Sequence, residues 1–440
     1  MCFDWEMGPG DSNIAPSERD AGWAFRLAVP AALVAALALA LVIGWPPSRS
    51  GATFPGTNGK IFFSSERDGN FEIYSMNPDG SDETRLTRTT GDELLPSVSA
   101  NGRWVTFAYL PDPAAEPGQR IRIELMRSNG STRRQVTGST TSADFSPGFS
   151  PDGSTLLFSR ETDRATENSR LWTVGVDGRG ASQLVAISPF REYEPEYFPG
   201  GNRIAYVQEL PAGEPRIYTV RSAGTDPEPI SPDGRGPSFS PSTSPDGSAV
   251  AWASYETTED RDSLIAVTTL STGETRTVVP ATGSIFIDHP TWSPAGSAIA
   301  FERYDDNQPD AEAQIFRVSP EGGPLTELTG PSTAPNFQPF WAPRPVRPSF
   351  RVLRNPRPTT ESRRATFRFR AVGRGTRLRC RLDSRKVRIC PAGRRVTFRG
   401  LGRGGHRLRV TPLATDRTAK TLGLNPRVVG QARNIRWRVR

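Results

Sequence analysis

Six prolines set the terms for this chain. They stand at positions 96, 147, 195, 241, 290 and 339, at intervals of 51, 48, 46, 49 and 49 residues. Each sits inside a variant of one phrase: PSVSANG, PGFSPDG, PEYFPGG, PSTSPDG, PTWSPAG and PFWAP. A fixed period of this length, built only from short strands, predicts the blades of a β-propeller. In each period the proline-bearing strand ends in a turn of the Ser-Pro-Asp-Gly type. An apolar strand follows directly: KIFFSS, RWVTFA, TLLFSR, RIAYV, AVAWAS or AIAFER. The Asp-Gly pair is expected to supply the positive φ angles of a tight hairpin. After a variable loop comes a third strand (IYSM, IELM, LWTV, IYTV, LIAV, IFRV), then a short outer strand such as TRLT, RQVT or TELT.

The strand count fixes how the ring closes. There are six copies of the first strand and six of the second, yet the chain enters at a second strand (Lys60) and leaves on a first (Phe340, Trp341). The segment NFQPFWAP must therefore complete blade one, which removes the open edges that invite aggregation. The expectation is an all-β chain with a six-bladed propeller over 59–343.

The phrase IYSMNPDGS…RLT in the first blade, with its Pro-Asp-Gly signature, resembles the TolB-type β-propeller, whose repeats are WD-like. The resemblance runs roughly over 59–343 and is weakest in blades four and five. It implies contact with an envelope protein through a propeller face, and no catalysis. The composition agrees. Two histidines, His289 and His406, and three cysteines are too few for a usual zinc site or a His-dependent enzyme. HExxH, Walker and GxSxG motifs are absent. GLGRGG at 400–405 fits GxGxxG on paper, but strand-like RRVTFR and HRLRV flank it, so no helix N-terminus is there to hold a pyrophosphate. It reads as a hairpin turn. No catalytic residue, metal or cofactor is expected.

Two sets of propeller positions are candidates for binding. Three residues before the aligned prolines stand Glu93, Asp144, Glu192, Ser238, Ile287 (followed by Asp288) and Asn336. First strands begin close to a propeller's axis. Glu93, Asp144, Glu192, Asp288 and Asn336 are therefore candidates for the channel mouth, where carboxylates would attract a cation or a basic chain end. The plainer expectation is that each caps a local turn or is solvated. An envelope enzyme, or a glycan- or cation-binding protein using this mouth, is the alternative function. The loops 161–169, 255–263 and 303–313 are also acidic; they could dock a basic partner or simply keep the propeller soluble.

From Leu27 to Trp45 the chain carries no charge: LAVPAALVAALALALVIGW. Nineteen helical residues would reach roughly 28 Å, close to the thickness of a bilayer's hydrocarbon core. A transmembrane anchor at 27–45 is expected, between a tail (1–26) and a linker (46–58). Arg19 and Arg26 before it and Arg49 and Lys60 after it do not orient it. SGA at 50–52 is a passable cleavage site, so cleavage and secretion are the lesser option.

The charge is segregated. Residues 344–440 hold 29 Lys and Arg against Glu361, Asp383 and Asp416, a net of +26; the rest of the chain has a net of −18. RPVRPSFRVLRNPRP (344–358) reads as an extended Pro/Arg-rich linker. Beyond it, 359–440 alternates with a period of two. Phe367, Phe369, Leu378, Cys380, Leu382 and Trp437 would face a core, with Arg368, Arg370, Arg377, Arg379, Arg381, Arg407 and Arg409 outside. Such strands suit a small Ig-like sandwich. Over most of 360–440 the tail is similar to modules of an exported-protein family with a C-x-L-D…C hairpin (Cys380, Leu382, Asp383, Cys390), a G-x-H…V strand (Gly405 to Val410) and a closing W-x-V (Trp437, Val439). That likeness implies a Cys380–Cys390 disulfide, closing a loop worth roughly 3 kcal/mol. A disulfide in turn implies an oxidising compartment, with propeller and tail outside a single-pass anchor. Partners expected for the arginines are anionic lipid, anionic wall polymer or the acidic propeller itself, against the plain alternative of a solvated Arg-biased face. Nucleic acid is not expected, because no exposed aromatics interleave the arginines.

Overall fold

The computed structural model describes residues 54–440 except 113–119, 163–168, 185–189, 211–213, 256–262, 284, 306–311, 331–333, 346, 373–375 and 426. The anchor expected at 27–45 lies outside the described residues, as do the tail before it and most of the acidic loop tips. No helix among the described residues is long and apolar enough to cross a membrane.

Six four-stranded antiparallel sheets follow one another from Asn58 to Pro343. Blade two shows the plan: inner strand Asp92–Val98, then Trp104–Leu110, Arg122–Arg127 and the two-residue outer strand Arg134–Gln135. Its second strand is buried from Trp104 to Tyr109 with no alternation. The neighbouring blades cover both faces of each sheet, so the polar-out half of the usual strand pattern is missing. Hydroxyls just past the outer strands hold those short strands in place. Thr87, Thr137, Ser231 and Thr329 each accept an amide near the start of the third strand of their own blade, from Ile73, Ile123, Ile217 and Ile315.

Blade one is shared between the two ends of the propeller. Asn336–Pro343 pairs antiparallel with Asn58–Ser65, matching Ile61 with Trp341 and Ser65 with Asn336. This is the closure that the strand count required. The Ser-Pro-Asp-Gly turn differs from expectation in one respect. Only the glycine takes a positive φ (74° at Gly153, 76° at Gly247), while Asp152 and Asp246 do not. The aspartate instead accepts hydrogen bonds. Asp152 takes the Ser154 amide at 3.0 Å and the Ser150 hydroxyl at 3.1 Å, and Gly153 N–H closes the turn on Ser150 O at 2.8 Å. The turn is thus a four-residue one with a single left-handed residue, which needs one glycine and not a left-handed pair.

The C-terminal residues form a β-sandwich. One sheet orders Ser349–Arg354, Ala365–Val372 and Arg395–Phe398; the other orders Thr359–Thr360, Arg433–Val439, Gly404–Thr415, Arg377–Leu382 and Arg388–Cys390. Between them lie Phe350, Phe367, Phe369, Leu378, Leu382, Leu408, Val410 and Trp437. Cys380 and Cys390 are disulfide-bonded within this core. The segment 344–358 is not a linker throughout. Ser349–Arg354 pairs with Ala365–Val372, because Phe350 and Val352 alternate inward while Arg351 faces out.

The sandwich is docked on the propeller's base by a short helix, Arg417–Thr421. Asp416, 4% exposed, caps it by accepting the Ala419 amide, and also accepts Trp104 Nε1 at 3.2 Å. Thr418 Oγ1 donates to Gly153 O at 2.6 Å, and Arg417 pairs with Asp152. Ala419, Leu422 and Leu424 pack with Phe54, Trp104 and Phe149. Asp416→Ala removes a helix cap and strands a buried indole N–H, a combined cost of about 2–4 kcal/mol. Calorimetry should then resolve two transitions where the parent chain shows one, as propeller and sandwich uncouple. A single transition at the parent's midpoint would show that the dock does not couple them.

Candidate functional site

Each inner strand carries a bulge at the residue just before its aligned proline. Leu95, Ser146, Glu194, Ser240, His289 and Gln338 all take a positive φ of 47–55°. The pairing register shifts at the same point in all six inner strands, for example between Leu94 and Ser97 and between Asp288 and Thr291. A non-glycine residue in this region costs on the order of 1–3 kcal/mol, and such residues cluster at functional sites. Six of them, one per blade, form a ring around the propeller axis. They line a central cavity of about 120 Å³ together with their prolines and Phe54. Phe54 also lines the cleft at the docked base and so lies between the two.

The ring is tied together by side chains reaching from blade to blade. Glu194 accepts the Ser240 amide at 2.8 Å, Glu302 accepts the Gln338 amide at 2.6 Å, and Gln338 accepts the Leu95 amide at 2.8 Å. What faces the cavity is under-satisfied. Ser146 Oγ, Ser240 Oγ, Glu194 Oε1 and His289 Nε2 are buried atoms with no hydrogen-bond partner. Native interiors pair nearly all such atoms, so four of them around one small cavity make this cup the candidate site.

His289 is the cup's charge centre. Its Nδ1 lies 3.2 Å from Glu302 and 3.9 Å from Asp288, and its side chain is 15% exposed. Burial alone would depress the imidazole, but Glu302, Asp288 and Glu194 outweigh it and push the group up to about 10. The ring is therefore an imidazolium at neutral pH. Burial holds the Glu194 carboxyl well above its usual range, with the Asp288 charge adding to the shift and His289 opposing it. The cup offers hydroxyls, a carboxyl and a cation, and no nucleophile–base pair. Among the described residues no group of three or more His, Cys, Asp or Glu is arranged to hold a metal ion.

The residues singled out from sequence fall elsewhere. Glu93 pairs with Arg133 at 2.6 Å and accepts the Thr89 hydroxyl, and Asp144 takes Arg160 in a two-pronged contact at 2.6 and 2.8 Å. Glu192 accepts Tyr206 Oη, and Asn336 bonds to Arg67 and Gln314. All four are buried. They do not converge on the channel. The bulge is the reason: the left-handed residue turns the strand so that the side chain before the proline points down the axis, while the one two positions earlier stays in the blade. Asp288 alone touches the cup, through His289. The missed signal was the set of residues before the six prolines, which includes the propeller's one histidine.

The seven arginine candidates also separate. Arg368 and Arg370 stand on the outer face of the three-stranded sheet; Arg377, Arg379, Arg381, Arg407 and Arg409 stand on the outer face of the other. The core lies between the two sets.

A ring of six four-stranded sheets around a central cavity defines a six-bladed β-propeller. The family described as the TolB beta propeller domain matches residues 49–192, and the chain carries a TolB-like β-propeller domain. An uncharacterized protein of Agrobacterium fabrum is 29% identical over 175 residues, 38% of this chain and 54% of that protein. A TolB homolog of Chlorobium luteolum is 28% identical over 163 residues, 36% of this chain and 34% of its own length. The matched part thus spans about half of one curated relative and a third of the other. The crystal structure of TolB from Acinetobacter baumannii superposes with a TM-score of 0.55 at 18% identity, covering 66% of this chain and 68% of that one, which establishes a shared fold.

Proposed function

We propose that this protein is a non-enzymatic binding scaffold of the cell envelope, anchored by residues 27–45 with propeller and sandwich outside, that captures a protein partner at the propeller channel. The observation that supports it is the ring of left-handed residues aiming unpartnered polar atoms into a cup lined by Phe54. A cavity of about 120 Å³ suits one side chain or chain end of a partner, not a metabolite of cofactor size. The His289 imidazolium, the buried Glu194 carboxyl and the Ser146 and Ser240 hydroxyls favour a polar, hydrogen-bonding end. The sandwich, Ig-like in its strand pattern, is then a module that holds the base of the propeller and meets anionic material of the envelope.

A photo-crosslinking residue placed at Leu95, on the rim of the cup, tests this in cells. A discrete protein adduct should form there and not at Arg88 on an outer edge. Glu194→Ala should reduce the adduct about tenfold, the size expected when a buried hydrogen bond is lost. Adducts insensitive to Glu194, or none at Leu95, would sink the reading. A thermal shift induced by a glycan or a cation and abolished by Glu194→Ala would favour the other use of the same cup.

A further inference from the structure

We propose that the larger sheet of the C-terminal sandwich is a membrane-surface contact, seated on an anionic lipid bilayer. The inference rests on the anchored reading above and adds what the basic domain does within it.

The first observation is a charge arrangement the domain cannot satisfy internally. On the outer face of this sheet Arg381 stands directly opposite Arg409, and Arg407 directly opposite Arg436. Arg377, Arg379 and Arg438 share the face, and all seven are exposed. Like charges directly opposed across a strand pair are destabilising, so the face calls for an external polyanion. The domain's own carboxylates do not supply one. Asp383 is taken by the His406 ring and the Arg407 amide, Asp416 by Trp104 and the helix, and Glu361 lies at the sheet's edge beyond Thr360. Nor does the acidic propeller cover the face, since the dock is built from Asp416 to Leu424.

The second observation is a matter of reach, and it selects lipid. Phe54, the first described residue, lines the same basal cleft as Asp416 and Arg417, so the described chain begins on the face that carries the sandwich. Eight residues, 46–53, separate Trp45 from Phe54. Fully extended they span at most about 30 Å. The sandwich strand Gly404–Thr415 has 12 residues, with its Thr415 end at the dock, and at ~3.3 Å each it is about 40 Å long. The sandwich is longer than the tether. A tether shorter than the domain keeps the sandwich within reach of the headgroups, where each arginine near an anionic surface gains attraction.

The full chain, held in nanodiscs of phosphatidylcholine alone or with phosphatidylglycerol, gives the test by dicarbonyl footprinting of arginines. Labelling of Arg379, Arg381, Arg407 and Arg409 should fall about threefold or more in the anionic discs and recover at high salt. Arg368 and Arg370, on the opposite face, should label equally in both. Equal labelling of all six in both discs would overturn the proposal, as would protection confined to Arg368 and Arg370. Protection by soluble wall polymer or by DNA, with none from anionic lipid, would overturn it in favour of those ligands. A chain that does not remain with either disc refutes the anchored reading instead, and the reach argument with it.

Discussion

Trp341→Ala is expected to destabilise the propeller by about 3–5 kcal/mol, the range for truncating a large, fully buried aromatic. Trp341 is 1% exposed and sits in the strand that completes blade one, opposite Ile61 and packed with Phe63, Met76, Ala300 and Ile315. Its neighbours come from blade one and blade six, so the cavity would open at the seam of the ring. The consequence should exceed that of an equal loss elsewhere, because the seam joins segments about 280 residues apart and nothing covalent backs it up. Chemical denaturation should show the lowered midpoint together with early exposure of amides in Asn58–Ser65 by hydrogen exchange. If midpoint and exchange pattern both match the parent's, closure does not depend on this contact.

The second large effect is on pH dependence. The imidazole of His289 is raised from its ordinary 6.5 to about 10 in the folded protein. A base whose folded value is raised contributes stability that is complete below the unfolded value and is lost as pH climbs through the folded one. The window is therefore about pH 6.5–10, and the loss across it is on the order of 3–5 kcal/mol. Glu194 acts in the same sense: its buried carboxyl is favoured neutral, so its contribution also declines as pH rises above the usual carboxylate range. Denaturant midpoints should fall from pH 7 to pH 10 in the parent and fall less in His289→Gln. Parallel slopes for the two proteins would show that the imidazolium is not what the carboxylates hold.

Much of the propeller could be read before any coordinates. Blade number and closure were carried by a phrase of six or seven residues repeated six times, so each copy checked the others. Alternation likewise placed Phe367, Leu378 and Trp437 inside the sandwich, because a period of two is a local property. The cup was not legible, and the reason is local as well. A proline biases the residue before it toward extended backbone, so nothing in the local sequence sets those residues apart from ladder positions such as Glu93, Asp144 and Glu192. The left-handed turn at Leu95, Ser146, Glu194, Ser240, His289 and Gln338 comes from six inner strands crowding one axis and being tied by carboxylates of other blades. No window of sequence contains both partners. The dock escaped notice for a related reason: a helix of five residues has no periodicity to detect, and Asp416 meets Trp104 across 312 positions of chain.

The shared first blade also sets a clock. A chain made or exported from its N-terminus presents Asn58–Ser65 as an uncovered edge until residue 343 has emerged. At about 5–20 residues per second that wait lasts roughly 15–55 seconds. The strand that waits, NGKIFFSS, holds its apolar residues IFF together and carries one charge, Lys60. At the end of this interval the protein is an arc of five blades and a first blade that lacks only its inner strand, and a chaperone or the membrane surface that shields a single strand near its N-terminus would decide how much of it closes.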